Sequence, residues 1–427
     1  MTALDTPTLH QPCTRLNLPA RFAFDRTTLL VGLAAILVLA LSAIMLARIV
    51  TEHGEANSYA ALAGAFLHGH LNVERCFDVD CAYYGGKSWV VFPPAPSLTA
   101  LPFVAVFGSG FGHFIALSVV LTGLTLWLWW RMFRLVALER PHARWLIVAI
   151  AFATPLYYVT LRGDGVWFYA QVAGTLFLTC ALHEAMYRRL VNAGLALGLA
   201  FLSRQMLLLY VPFLFALSLK ADEPLISFRK DHIKRALELG LPILAAIVVY
   251  LVYNQARFGN PLDTGYAYIR PPASQAVGGF ISHRLQEIGL FSPKYVLYNA
   301  LYLFVQGFHI DFVGTYLTSL GKIDNSGTSL LAASPFVLLA FFAPMRRHLV
   351  VGLLVAAAIA GISLFYHGNG YSQYNVQRYT LDWLPVIFLA LALGPVRDHA
   401  GAFRLLVVYA LGLNTVAMIL LAATGPS

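Results

Sequence analysis

Five carboxylates crowd one stretch of the chain. Glu52, Glu55, Glu74, Asp78 and Asp80 precede a long apolar run, with Arg75 and Lys87 as the accompanying bases. A carboxylate held beside aromatic side chains and the rigid Pro93-Pro94 turn can deprotonate a hydroxyl or help to hold a divalent cation. Taken singly, each is also an ordinary acid of a solvated loop. Arg162, Arg204, Arg257 and Arg378 form a second set, because the planar guanidinium fork matches phosphate oxygens and can offset the charge of a departing phosphate. Each residue of that set has a plainer reading. Arg162 and Asp164 are close enough in sequence to form a local ion pair, or one of them faces a substrate. Arg204 either meets a lipid phosphate or snorkels to the headgroups. Arg378 and Asp382 are four apart at an expected helix start and can pair, or Arg378 takes a phosphate. Cys76 and Cys81 flank four residues and make either a small disulfide or two thiols, while Cys13 and Cys180 read as structural. No Cys/His spacing suits zinc. There is no Gly-rich phosphate loop and no Walker-type lysine, so neither ATP nor a nucleotide sugar is expected as a direct substrate.

The elements that must position these groups follow from composition. Of the 427 residues 59% are hydrophobic and 11% charged, with a mean hydropathy of +0.69. A soluble domain carries about 25% charged residues, so a soluble enzyme, a disordered chain, a collagen-like repeat and a disulfide scaffold are excluded. The apolar runs do not alternate, which argues against a β-barrel. About 20 apolar residues cross a bilayer as a helix. The runs near 28–50, 112–133, 145–160, 166–187, 190–204, 206–220, 238–256, 329–344, 348–366, 380–395 and 402–423 therefore predict an all-α polytopic membrane protein of about 11 transmembrane helices. Two long loops, 51–111 and 257–328, are expected to carry surface or re-entrant helices. The segment 56–69 reads as an amphipathic helix on the membrane, and 294–310 as a re-entrant or surface helix.

Charge sets the orientation. One face carries 18 of the 29 Lys and Arg and 9 of the 20 Asp and Glu, which is the whole of the +9; the other carries 11 of each. The positive-inside rule makes the first face cytoplasmic. Residues 1–27 then form a cytoplasmic tail, residues 28–427 a single transmembrane domain, and the C-terminus lies outside. The first apolar run is too long for a signal h-region and is expected to stay as an anchor. The excess charge is topology, so no nucleic-acid partner is implied, and nearly every unusual polar residue falls on the outer face.

Several ordered segments resemble a known group. The run from Tyr59 to Gly69, then Tyr84-Gly85-Gly86-Lys87 and Phe92-Pro93-Pro94, is similar to the first outer loop of bacterial polytopic glycosyltransferases of the GT-C fold. YNQARFGNPLDTGY (253–266), YNVQRYTLDWLP (374–385) and Thr328-Ser329-Leu330 before Ser334-Pro335 resemble further segments of that group, whose family-39, protein-mannosyltransferase-like members are the nearest in pattern. The resemblance implies a GT-C-like fold and sugar transfer from a polyprenyl-phosphate-linked donor to an envelope glycan, lipid or protein at the outer face of the bacterial cytoplasmic membrane. It implies a catalytic acid just after the first span. Where the family usually has an Asp or an Asp-Glu pair, this chain has Glu52 and Glu55, with Asp78 and Asp80 as rivals. It also implies that Arg378, with Arg257, Arg204 and Arg162, serves the donor phosphate, and that Tyr84, Lys87, Asp164, Tyr266 and Gln377 line the substrate site. No cofactor is required, although a divalent cation is compatible with the acids. Two other readings compete: a transporter or flippase of lipid-linked sugar, and an inactive subunit of an envelope-glycan assembly. Span interiors almost free of charge and the lack of a half-to-half repeat lower the transporter reading.

Overall fold

The computed structural model describes residues 26–54, 57–77, 81–220, 222–269, 280–370 and 377–424. The chain opens with α1 (Arg26–Val50), a run of Leu, Ala, Ile and Val that is exposed along most of its length, as a lipid-facing helix should be. The first long loop then builds α2 (Ser58–Leu67), the hairpin β1 (Cys81–Tyr84) and β2 (Lys87–Val90), and α3 (Ala95–Phe107). The bundle continues with α4 (Phe114–Leu135), α5 (Arg140–Phe152), α6 (Pro155–Leu161), α7 (Val166–Met186), α8 (Leu190–Phe201), α9 (Val211–Ser218) and α10 (Lys230–Phe258). After it come α11 (Phe280–His283), α12 (Val296–Ala300), the hairpin β3 (Ile310–Val313) and β4 (Ser319–Ile323), and α13 (Leu330–Ala333). The chain closes with α14 (Arg347–Phe365), α15 (Leu384–Ala392), α16 (Pro395–Asp398) and α17 (Ala400–Thr424). This is a multi-pass membrane protein built almost entirely of helix.

Six of these helices, α1, α4, α7, α10, α14 and α17, are long and apolar enough to cross a bilayer. The pair α5 and α6 qualifies jointly, with a 49° bend. Pro155 starts the second arm of that pair. The carbonyls freed at the bend find donors elsewhere: Ser334 donates to Ala153 O and Asn414 to Phe152 O, both at 2.6 Å. The expected eleven full crossings are not shown. Residues expected to span at 190–204 and 206–220 form α8 and a 3-10 turn (Gln205–Tyr210) leading into α9. Those at 329–344 and 380–395 are likewise broken into short helices and 3-10 turns. At 1.5 Å per residue, α8 reaches about 18 Å, well short of a ~30 Å hydrocarbon core. The breaks coincide with Ser203-Arg204, Pro335 and Pro385, and two of them hold buried polar groups described below.

The central helix is α7, which is buried over most of its length. It is lined with small residues (Ala170, Ala173, Gly174, Ala181 and Ala185) that let α4 and α8 approach closely. One further expectation needs correction. The 56–69 segment does not lie on the surface: Tyr59, Ala60, Leu62 and Ala63 of α2 are fully buried, because α2 packs on α3 beneath the loop. The 294–310 segment holds one helical stretch, Pro293–Val305, followed by β3.

The long loops converge at one end of the bundle. Ala82 bridges Ile269, Phe291 bridges Tyr366, and Arg257 donates to Val90 O at 2.7 Å. The opposite end gathers the basic connections. There Arg347 donates to the carbonyls of Glu223 and Lys220, and Arg235 pairs with Glu223 at 2.7 Å.

Candidate functional site

At the loop-rich end, α1 runs out at Val50 and delivers Glu52 to the start of α4. The Glu52 side chain is 3% exposed. Its Oε1 accepts from Ile115 N at 2.7 Å and its Oε2 from Ala116 N at 3.3 Å, two amides that the first turn of a helix leaves without intrahelical partners. Burial pushes the carboxyl above its ordinary range against the pull of these amides and of His113, and the nearby Asp164 pushes in the same direction as burial. Asp164 stands in the turn between α6 and α7, 40% exposed, between Arg48 at 3.1 Å and Arg162 Nε at 3.5 Å. Its backbone carbonyl accepts from Asn57 Nδ2 at 2.9 Å, and the Asn57 side chain also caps α2, so the first loop and this turn are tied together. Asp164 therefore makes the local pair expected with Arg162 and, through Arg48, a second one.

Three arginines continue from there in alternation with aromatic rings. Arg162 and Arg378 both stack on Phe168, at 5.4 and 5.2 Å from its centroid. Arg378 and Arg204 both stack on Tyr379, at 4.9 and 5.2 Å. Cations over rings at this range gain about 0.5–2 kcal/mol, more as water is removed. Arg162 also has Tyr158 Oη at 3.4 Å, in addition to its pair with Asp164.

Arg204 is differently placed. It occupies the break between α8 and the following 3-10 turn and lies against Gly174, where an added Cβ would meet its Cγ and Cδ at 3.3 Å. Its Nε donates to Asp382 Oδ1 at 2.7 Å and its Nη2 to Oδ2 at 2.6 Å, a two-pronged pair with Asp382 3% exposed. Gln171 Nε2 donates to the same Oδ1 at 2.8 Å. The carboxylate expected to pair with Arg378 is thus held by Arg204 and Gln171. Residues Arg378–Asp382 form a 3-10 turn. At three residues per turn, i and i+4 point about 120° apart rather than along one face. Sequence reasoning gave Gln171 no role; a glutamine inside an apolar span was the available signal.

Arg257 belongs to another cluster. It is 2% exposed, donates to Val90 O and to Asn254 Oδ1, both at 2.7 Å, and is covered by Tyr253 and Phe258. Gly259, with φ 72°, closes α10 in the left-handed region that a glycine enters at low cost and turns the chain toward Asp263. Tyr84, Phe258 and Tyr268 pack together there, with ring centroids 4.6–5.8 Å apart, next to Trp89. Lys87 is exposed on β2, opposite Tyr84 in the register. Tyr266 is half-buried. Gln377 is buried, and its backbone carbonyl caps the 378–382 turn by accepting from Thr380 Oγ1 at 2.7 Å. Glu55, Asp78 and Asp80 lie outside the described residues. Cys76 and Cys81 form a disulfide that closes the segment holding the last two.

Among the described residues no group of three or more His, Cys, Asp or Glu is placed to hold a metal ion. A cavity of about 570 Å³ is at the opposite end of the bundle on α10, away from the arginines.

Fold and site together define a multi-pass, mainly helical membrane protein that gathers carboxylates and arginines at one end. Neither a protein-family model nor a curated protein matches the chain. Two solved structures are similar in outline. One is the crystal structure of ArnT from Cupriavidus metallidurans bound to undecaprenyl phosphate, at 16% identity and a TM-score of 0.48, covering 92% of this chain and 64% of that one. The other is the archaeal oligosaccharyltransferase AglB from Archaeoglobus fulgidus in complex with an inhibitory peptide and a dolichol-phosphate, at 14% identity and a TM-score of 0.43, covering 95% of this chain and 57% of that one. This chain therefore spans about three-fifths of the length of either.

Proposed function

We propose that the protein is a GT-C-type membrane glycosyltransferase that moves a sugar from a polyprenyl-phosphate-linked donor to a hydroxyl-bearing glycan, lipid or protein acceptor at the outer face of a bacterial cytoplasmic membrane. One observation carries the reading: half-exposed Asp164 and Arg162 run through Phe168 to Arg378, beside the buried, proton-avid Glu52. The ordered sequence resemblance supports it independently. In this reading Arg162 and Arg378 receive the donor phosphate, whose isoprenoid tail stays in lipid. Both cations stack on the Phe168 ring, which holds their guanidinium groups close together and near Asp164. Glu52 takes the acceptor proton. Its two amide bonds use one direction at each oxygen, and an ionised carboxylate has about four lone-pair sites in all. The acceptor oxygen attacks the anomeric carbon, the bond from that carbon to the phosphate oxygen breaks, and the polyprenyl phosphate leaves with the electron pair, inverting the centre. Glu55, Asp78 and Asp80 remain alternative bases. Tyr84, Lys87, Asp164, Tyr266 and Gln377 are assigned to substrate contacts, and Arg257 and Arg204 to supporting the arginine layer.

The test is to incubate purified protein with a panel of polyprenyl-phosphate sugars and to score donor cleavage. Cleavage that disappears in Arg378→Gln and Glu52→Gln supports the reading, and full activity in Glu52→Gln, Glu55→Gln and Asp80→Asn variants removes a carboxylate base from it. The buried Arg204–Asp382 pair on broken segments favours a second reading, transport of the lipid-linked sugar. Intact donor moved across a vesicle membrane is the outcome that selects it, and donor bound but neither cleaved nor moved selects an inactive subunit.

A further inference from the structure

From the opposite end of the bundle, we infer a binding site for one anionic phospholipid in the groove between α8 and α10. The two helices touch where Gly194 and Gly198, one turn apart, meet Leu239 O, Pro242 and Ala246; a Cβ on Gly198 would come within 2.8 Å of the Ala246 Cβ. Toward the basic end they part. The space left, about 570 Å³, is lined by Val191, Ile233, Leu237, Leu241 and Pro242, with Lys230, Lys234 and Glu238 at its rim. Val191, Ile233, Leu237 and Leu241 are each at least 46% exposed in a protein that spans a membrane, so the groove wall faces acyl chains.

Charge and length select the occupant. Lys234 pairs with Glu238 only loosely, at 3.8 Å with the lysine side chain 76% exposed, and Lys230 has no ion-pair partner among the described residues. The rim is therefore net positive with one ammonium uncommitted. Lys230, Lys234, Leu237 and Leu241 follow one helix face at the three- and four-residue spacings that stack side chains. From Lys230 to Leu241 that face extends about 16 Å, close to the length of a fatty-acyl chain. A phosphate at the lysines and a chain over the leucines fill it together, whereas a free phosphate leaves the apolar wall empty and a neutral lipid leaves Lys230 unmatched.

Native mass spectrometry of the delipidated full chain in detergent tests this, with phosphatidylglycerol and phosphatidylcholine of matched acyl chains as probes. The expected result is one retained phosphatidylglycerol in preference to phosphatidylcholine. The preference should fall about fivefold for each lysine removed in Lys230→Gln and Lys234→Gln. Leu237→Trp, which fills the groove and leaves the lysines in place, should lower retention of both lipids. Glycerol phosphate without acyl chains should not compete. Equal retention of the two lipids, an unchanged preference in the double lysine variant, or displacement by glycerol phosphate would overturn the assignment. Because both substitutions lie on an exposed helix face, melting temperatures close to wild type are expected and exclude misfolding as the cause. The outcome is independent of whether the protein transfers a sugar.

Discussion

The same end of the bundle holds two arginine layers that differ in the groups packed around them. In the inner layer Arg204 is clamped by Asp382, Arg257 is spent on Val90 O and Asn254, and Arg284 donates to His367 O at 3.1 Å inside a ring of Phe280, Tyr295 and Tyr298. In the outer layer Arg162 and the buried Arg378 lean on a shared ring, and Asp164 is 40% exposed. Chemically alike side chains thus have opposite expected roles. A cation clamped by a buried carboxylate holds the fold, while the two cations stacked on one ring beside half-exposed Asp164 are the pair that the proposed reading gives to the donor phosphate. Glu52 stands at the boundary, buried like the first layer and next to the second.

The comparison breaks most readily at Asp382. Asp382→Ala leaves Arg204 buried without its counter-charge, which costs about 3–5 kcal/mol. Loss of folded protein in detergent, or a large fall in Tm, is expected. Arg204→Met with Asp382→Leu should recover much of the loss, and a single Asp382→Ala variant as stable as wild type would show that the inner layer is not structural.

Next comes His367, whose imidazole burial pushes down to about 4; a backbone hydrogen bond to Leu290 resists the shift and Arg284 adds to it. The unfolded chain binds the proton near pH 6.5, the folded one not until about 4, so stability is lost as pH falls through this window and levels off below it. The ceiling is roughly 3 kcal/mol at about 1.4 per unit. His367→Gln should flatten the Tm-against-pH curve between about 6.5 and 4, and an unchanged slope would remove His367 from the inner layer.

Arg378→Gln and Arg162→Gln sharpen the contrast from the other side. Each removes a charge-assisted contact of about 1.5–3 kcal/mol to a phosphate, a weakening of roughly 10- to 100-fold in polyprenyl-phosphate binding. Tm should move far less than in Asp382→Ala. The reverse pattern, unchanged binding with a large Tm loss, would place both arginines in the structural layer.

The smallest effect is expected at Glu52. Its carboxyl is raised by burial, so the stability held below the ordinary carboxylate range is lost as pH rises through the raised value. Glu52→Gln should be the more stable of the two proteins above that value by about 1 kcal/mol, the scale of one capping contact. Thermal melts of both across pH 4–8 measure it, and parallel curves would deny Glu52 its shifted proton.

The class of protein was legible in the chain itself. Long apolar runs and sparse charge leave no fold but a helical bundle in lipid, and the placement of Lys and Arg already separates the two ends. The Arg162–Asp164 pair was legible too, because its partners are two residues apart. What only tertiary structure decided is which arginine meets which carboxylate. Arg204 meets Asp382 across 178 residues and Arg48 meets Asp164 across 116. No local periodicity reports such distances. The local rule pointed Asp382 at Arg378, and it failed because the segment winds as a 3-10 turn and because Gln171, on a helix far away in sequence, completes the carboxylate's shell. The number of full crossings was hidden for a related reason. Hydropathy registers an apolar run whether or not the helix is continuous, and it is the breaks at Ser203-Arg204 and before Leu384 that bring the buried polar groups together.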